Sequence, residues 1–137
     1  MGDILKTYRV RSAKGERPRK LRLYFDSGSP FTFVKRSACR GLANVLGLRI
    51  PQRFGGLGNG SFMATHVVNL EVELLGIWCR HLSFVVPDSV LTEDEDGLVG
   101  HDFMQQFDIH LALKRRDVVL NKAALKRAQV VRNAAAR

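Results

Sequence analysis

Hydrophobic residues alternate with polar ones along most of this chain, and the alternation predicts a mainly β protein. Leu21, Leu23 and Phe25 alternate with Arg22 and Tyr24, which is the period of a half-buried strand. The other segments with strand character are residues 4–10, 31–34, 63–72 continuing to 75, 78–87, 98–99, 107–113 and 118–120. Because a polar turn joins residues 4–10 to 19–25, these two segments predict an N-terminal hairpin.

Three segments have helical spacing instead. Ser37 is a suitable N-cap for residues 38–46, whose apolar positions recur every three or four residues until Gly47 ends the segment. A short helix is predicted at residues 101–106, and an alanine-rich tail helix at 122–137. The pattern as a whole therefore predicts a mainly β fold with one or two short helices.

The strand that ends at Phe25 leads directly into Asp26, Ser27 and Gly28. A buried carboxylate is costly unless it is paired or hydrogen-bonded, so a carboxylate that follows an apolar strand indicates a candidate catalytic group. Gly28 lets the backbone approach closely behind it. The alternative is a strand that ends in an Asx turn, in which Asp26 accepts a hydrogen bond from its own backbone two residues on. Both interpretations stay open at this point.

Length and composition indicate one domain without metal or disulfide. A chain of 137 residues is long enough for a real core. Cys39 and Cys79 lack a CxxC pair or histidines at ligand spacing, so reduced thiols are expected. The acidic run at residues 92–96 lacks the pattern of a calcium loop and predicts a solvated loop. The absence of a leader and of a long apolar run predicts a cytoplasmic chain with no transmembrane segment.

The net charge of +9 is unevenly distributed along the chain. Residues 1–24 carry eight lysines and arginines against two carboxylates, and residues 114–137 carry eight against one. Residues 25–113 carry six against ten and are therefore mildly acidic. This distribution predicts solvated basic ends, and it leaves a contact with nucleic acid or an anionic membrane open as an alternative. Few aromatic residues lie among the terminal charges, so base stacking has little support.

Glycines are concentrated at Gly55, Gly56, Gly58 and Gly60. Each glycine loses much backbone freedom when it is ordered, so this cluster favours a mobile hairpin tip. A phosphate-binding loop is the alternative, but no Lys-Ser/Thr pair and no helical pattern follow the glycines.

Three motifs, in this order, resemble those of retropepsin-like proteases, the single-lobed branch of the clan AA aspartic proteases. Residues 21–29, an apolar strand followed by Asp-Ser-Gly-Ser, resemble their active-site loop. Residues 53–62 resemble their glycine-rich flap, and residues 97–104 resemble the apolar-apolar-Gly block that leads into a short helix. The chain has one Asp-Ser-Gly and is too short for two lobes. The resemblance covers about residues 21–120 and is closest to bacterial and cellular members.

The resemblance implies a closed barrel and a symmetric homodimer that hydrolyses protein or peptide substrates. It implies an aspartic endopeptidase in which Asp26 of each subunit activates one water, with no cofactor. Ser27 would direct its hydroxyl across the dimer axis, and Gly28 would present its backbone to the substrate.

The other motifs also acquire roles by resemblance. Residues Gly55, Gly56, Leu57 and Gly58 would form a flap over the bound peptide, with Leu57 at its tip. Loop support behind the active-site loop would come from Val99 and Gly100.

The charge distribution and the resemblance together divide the chain into three parts: a basic N-terminal hairpin arm at 1–20, the protease domain at 21–121 and a basic, alanine-rich tail at 122–137. The chain departs from retroviral enzymes at Pro30, where they usually carry an aspartate that pairs with a basic residue after the later glycine. Here that later position is His101. An ionic brace is therefore not expected at this place, which weakens the expected dimer.

Two other functions remain as alternatives. One is a catalytically silent retropepsin-like module for dimerisation or peptide binding, because a fold does not by itself carry a function. The other is a basic nucleic-acid-binding β protein, which the acidic middle of the chain disfavours.

Overall fold

A computed structural model of the chain describes residues 4–56 and 60–129, and these residues form nine strands and two short α-helices. The strands are β1 (Ile4–Arg11), β2 (Arg19–Phe25), β3 (Phe33–Lys35), β4 (Val45–Gly55), β5 (Ser61–Leu74), β6 (Ile77–Val86), β7 (Gly97–Val99), β8 (His110–Ala112) and β9 (Asp117–Val119). The helices are α1 (His101–Gln106) and α2 (Lys122–Gln129).

Seven strands form one sheet in the order β1-β2-β7-β3-β6-β5-β4. Strand β1 also pairs with β5, which closes six of these strands into a barrel and leaves β4 paired only with β5. Strands β8 and β9 form a separate antiparallel pair. The structure is thus the mainly β closed barrel with short helices that the sequence predicted.

Strand β7 brings two of the sequence motifs side by side. It pairs in parallel with β2, where Val99 lies opposite Phe25, and antiparallel with β3, where Leu98 lies opposite Phe33. The chain leaves β2 for the Asp-Ser-Gly loop at the point where β7 gives way to α1. The first and third motifs therefore meet at one end of the barrel.

The predicted alternation in β2 places Leu21, Leu23 and Phe25 in the main hydrophobic core, whereas Arg22 is exposed. The predicted N-terminal hairpin is confirmed as β1 and β2, and the predicted helix at residues 101–106 is confirmed as α1. These elements were predictable because each has an unbroken period of its own.

The helix expected after Ser37 was wrong. The segment Ser37–Cys39 forms a single 3-10 turn, and Gly41 then adopts a left-handed conformation with a φ of +83°. The apolar residues at the end of the predicted helix, Val45 and Leu46, instead begin β4 and pair with β5. Their spacing fitted a helix, but long-range pairing overrode the local pattern.

The basic tail takes part in the core. Helix α2 packs against β6, and the side chain of Leu125 is completely buried, while Lys126 and Arg127 are exposed. Residues 130–137 of the predicted tail helix lie outside the described residues. The division of the chain into 1–20, 21–121 and 122–137 stays a prediction, although both end segments contribute buried residues. Neither helix in the described ranges is long and apolar enough to cross a membrane.

Candidate active site

Asp26 is the first residue after β2, and the barrel holds its backbone in place. Its amide donates to the carbonyl oxygen of Val99 at 3.0 Å, and its own carbonyl accepts from the amide of Ser29 at 3.1 Å. The amide of Gly28 donates to Asp26 Oδ1 at 2.9 Å. This last bond is the Asx turn that the sequence left open. It orients the carboxylate while the side chain stays half-buried at the surface.

The backbone after β7 packs directly against the loop that carries Asp26. The amide of His101 donates to the carbonyl oxygen of Ser29 at 2.6 Å, and the amide of Asp102 donates to that of Pro30 at 3.3 Å. A Cβ atom added to Gly100 would overlap the carbonyl group of Phe31 and lie 2.7 Å from the carbonyl oxygen of Ser29. Only glycine allows this approach.

Two side chains, the buried Thr32 and the half-buried Asp102, add a second connection behind the loop. The hydroxyl of Thr32 donates to Asp102 Oδ1 at 2.7 Å and accepts from the amide of Gly100 at 3.0 Å. Because Thr32 is almost completely buried, an unpaired hydroxyl at this place would be costly. The hydrogen bonds therefore tie the active-site loop to the start of α1.

The same carboxylate extends the connection to β6. His81 Nε2 lies 3.0 Å from Asp102 Oδ2, and His81 Nδ1 lies 2.7 Å from Gln106 Oε1. The amide nitrogen of Gln106 donates to the carbonyl oxygen of Arg80 at 3.1 Å, which fixes the orientation of the amide. The imidazole of His81 thus lies between a carboxylate oxygen and an amide oxygen. No ion pair of His101 occurs among the described residues, so the brace at this end of the barrel is the His81–Asp102 pair.

These contacts set the protonation of Asp102. Burial alone would raise the pKa of this carboxyl, but the hydrogen bonds from His81 and Thr32 together outweigh burial and lower the pKa. A carboxyl whose pKa is lower in the folded than in the unfolded state stabilises the fold above the unfolded-state pKa, and this stabilisation is lost as the pH falls through the folded-state pKa.

We expect Asp102→Asn to destabilise the protein most at neutral pH. The difference in unfolding free energy from the wild type should shrink as the pH falls from about 3.9, the usual pKa of an aspartate, through the lower folded-state pKa. In this range the unfolded chain binds the proton more readily than the folded one. Urea unfolding at a series of pH values measures this difference. Asp108→Asn is the matched control, because Asp108 also pairs with a histidine, His110, but at an exposed position. A pH-independent difference for Asp102→Asn would contradict the prediction.

A cleft of about 460 Å³ lies between the Asp26 loop and the hairpin of β4 and β5. In the hairpin, Phe54 pairs with Phe62 across the two strands. The ring of Phe54 also lies edge-on to that of Phe31, with centroids 5.3 Å apart, so the hairpin contacts the active-site loop. The described residues that line the cleft are Asp26, Gly28, Ser29, Pro30, Phe31, Phe33, Arg53, Phe54, Gly55 and Gly56.

The structure thus brings most of the predicted site residues together. Asp26, Gly28, Gly55 and Gly56 share the cleft. Two further predicted residues, Val99 and Gly100, lie behind the loop. The predicted flap residues Leu57 and Gly58 lie outside the described residues.

Ser27 faces away from this cleft. It lines a second cavity, of about 410 Å³, together with His101, Met104, Ile109 and Leu113 among others. Leu113 is 57% exposed although it is a large apolar residue. The two sides of the Asp-Ser-Gly loop therefore open onto different surfaces.

Several residues of the site were not predicted from the sequence. The polar Thr32 inside the apolar run at 31–34 was a usable signal, because a polar residue there needs a buried partner. Nothing in the sequence connects His81 to Asp102, since tertiary structure alone brings them together. In the described part of the chain, no cluster of three or more histidines, cysteines or carboxylates could hold a metal ion.

Solved retroviral protease-like structures are similar to this one, and the chain therefore has the retropepsin-like fold that its motifs predicted. The retroviral protease-like domain of Ddi1 from Leishmania major matches 85% of this chain and 84% of its own, with 14% identity and a TM-score of 0.54. EIAV protease in complex with the inhibitor HBY-793 matches 81% of this chain and 93% of its own, with 13% identity and a TM-score of 0.58. No protein-family model and no curated protein matches the sequence.

Proposed function

We propose that the protein is an aspartic endopeptidase that is active as a homodimer. The observation that carries the proposal is the Asp26 carboxylate, which is oriented by a braced loop and opens onto a cleft walled by a hairpin. One carboxylate does not supply both an acid and a base. A twofold axis beside the loop supplies the second, because a symmetric interface brings the same residue of each subunit face to face.

In this mechanism the two Asp26 carboxyl groups hold one proton between them. Two carboxylates about 3 Å apart do not both ionise readily over a middle pH range. The charged member takes a proton from a water, which adds to the peptide carbonyl carbon, while the protonated member donates its proton to the carbonyl oxygen. The tetrahedral diol then collapses: the carboxylate that is now charged takes the proton of one diol hydroxyl as the carbonyl re-forms and the C–N bond breaks, and the protonated member gives its proton to the leaving nitrogen. The pair thereby regains its single shared proton.

The exposed side of the loop supports the dimer. Ser27 is exposed and lies beside a cavity with apolar walls, and the exposed Leu113 borders the same cavity. A second subunit that covered this surface would bury Leu113 and receive the Ser27 hydroxyl. The two Asp26 loops would then meet on the axis.

The direct test is cleavage of a degenerate peptide library by the purified protein across a pH series. We expect cleavage that is strongest under acidic conditions and that is blocked by a peptide with a hydroxyl-bearing tetrahedral carbon in place of the scissile carbonyl. Such a compound mimics the diol and should bind far more tightly than a substrate. Cleavage that this compound does not block would contradict the proposed mechanism.

The hairpin of β4 and β5 is proposed to close over the bound peptide. Gly56 has a φ of +94°, and a Cβ atom added to it would meet nothing within 4 Å. Gly15, in the turn between β1 and β2, has a φ of +89° and the same open space. Closure would exclude water from the reacting groups and couple substrate binding to catalysis.

We expect Gly56→Val to slow turnover by about ten- to a hundredfold, because a non-glycine residue at positive φ costs about 1 to 3 kcal/mol and the change falls on closure. Gly15→Val is the matched control, because it puts the same side chain at a positive φ in a turn that does not line the cleft. It should retain near-normal turnover. Steady-state cleavage of one peptide by each variant measures the effect. Equal rates for the two variants would contradict the assignment of a closing hairpin.

A second candidate is a retropepsin-like module that binds peptides or dimerises without turnover. The Asx turn favours it, because the bond from Gly28 gives Asp26 a structural role independent of chemistry. Peptide binding without cleavage by a dimeric wild-type protein would select this candidate.

A role in nucleic-acid binding is less well supported. Several arginines of the barrel surface pair with carboxylates: Arg11 lies 2.7 Å from Glu71, and Arg22 lies 3.2 Å from Asp96. Arg80 also pairs with Glu71. Paired guanidinium groups contribute less to phosphate binding than free ones.

A further inference from the structure

The cleft beside Asp26 has an apolar wall made of aromatic rings. Phe31, Phe33 and Phe54 line it, and Phe33 and Phe54 lie edge-on with centroids 5.0 Å apart. Phe31 remains 41% exposed although it contacts both Phe54 and Phe84. Ligand pockets are typically walled by such side chains, with a few polar groups that orient the ligand. An apolar side chain of a bound peptide would cover Phe31.

The cleft also carries one cation among its described lining residues, Arg53. Its Nη1 donates to the hydroxyl of Ser61 at 3.2 Å, which holds the side chain along the hairpin. No carboxylate of the described residues lies within ion-pair distance of this guanidinium. Since a guanidinium has five N–H donors, most of its hydrogen-bonding capacity is left for a ligand.

We propose that the cleft selects peptide segments that carry both a large apolar side chain, aromatic by preference, and an acidic side chain. The apolar side chain packs on Phe31 and Phe54, and the acidic side chain pairs with Arg53. Because the Asp26 carboxylate lines the same cleft and repels a second carboxylate, the acidic side chain lies on the hairpin side. This inference rests on the proposed function for the placement of a peptide in the cleft, and it adds the class of peptide.

The test separates selection from catalysis. Asp26→Asn protein is immobilised, a degenerate decapeptide library is passed over it, and the retained peptides are sequenced by mass spectrometry. We expect Phe, Tyr and Leu to be enriched over Ala by about tenfold or more, and Glu and Asp to be enriched over Lys by about ten- to a hundredfold.

Two variants and one control, all in the Asp26→Asn background, show which residue causes each peptide preference. Arg53→Glu should exchange the acidic preference for a basic one, and Phe31→Ala should remove the aromatic preference alone. Arg49→Glu makes the same charge change on the same strand, β4, at an exposed residue that does not line the cleft, and should leave both preferences unchanged.

The outcomes distinguish this inference from the proposed function. Three results would overturn the inference even if the wild type cleaves peptides: the protein retains no peptides, it retains peptides without preference, or its preference for acidic peptides survives Arg53→Glu. If the peptides are selected as expected but the wild-type protein cleaves none of them, the result would support the inference and contradict the proposed endopeptidase activity.

Discussion

Asp26→Asn should reduce peptide cleavage by about a thousandfold or more while the barrel and the dimer remain intact. The amide has nearly the same volume as the carboxylate and still accepts the hydrogen bond from Gly28, so the Asx turn persists. It neither accepts a proton from water nor donates one to a carbonyl oxygen, and proton transfer of this kind is worth about 10² to 10⁴ in rate per group. Initial rates with a fluorogenic peptide, together with sedimentation and thermal unfolding, measure both effects.

The control for this substitution is Asp94→Asn, which makes the same chemical change at an exposed residue that lines neither the Asp26 cleft nor the Ser27 cavity. It should retain wild-type activity. Near-normal cleavage by purified Asp26→Asn protein would show that another group performs the chemistry and would contradict the assignment of Asp26.

Gly100→Ala should destabilise the protein by about 3 kcal/mol or more. Overpacking of a filled site commonly costs 1 to 3 kcal/mol, and here the added methyl group overlaps the backbone carbonyl of Phe31, which no rotamer change relieves. The loop would have to move away from β7, which would also break the hydrogen bond between the hydroxyl of Thr32 and the amide of residue 100. We therefore expect a lower midpoint of urea unfolding and a loss of activity.

The comparison for Gly100→Ala is Gly55→Ala, where an added Cβ meets nothing within 4 Å and the backbone is not left-handed. Its unfolding midpoint should be within experimental error of the wild type. A Gly100→Ala protein as stable as the Gly55→Ala protein would show that the loop does not need the close approach of β7.

The candidate site residues could be predicted from the sequence because each lies in a local sequence pattern. Asp26 follows an alternating strand, and Gly100 separates a buried strand from a short helix, so both positions have a physical reason that nearby residues reveal. The retropepsin-like fold followed from the order of three such patterns. The glycines of the hairpin were recognised in the same way, since clustered glycines suit a turn more than a packed element.

The remainder depends on contacts between distant parts of the chain. Thr32 and Asp102 are 70 residues apart, and His81 lies 21 residues before Asp102, so no local period connects them. The helix expected at residues 38–46 failed for the same reason, because pairing with β5 decides the conformation of Val45 and Leu46. The cleft between Phe31 and Arg53 exists only once the hairpin folds over the loop.

The central claim is that two Asp26 carboxylates, one from each of two chains, form a single catalytic centre. Wild-type and Asp26→Asn chains are refolded together at varying proportions and constant total concentration, and the cleavage rate is measured. If both carboxylates are required, the rate follows the square of the wild-type fraction and falls to about one quarter in an equal mixture. A rate that falls in simple proportion, to about one half, would show that each chain acts alone and would contradict the claim.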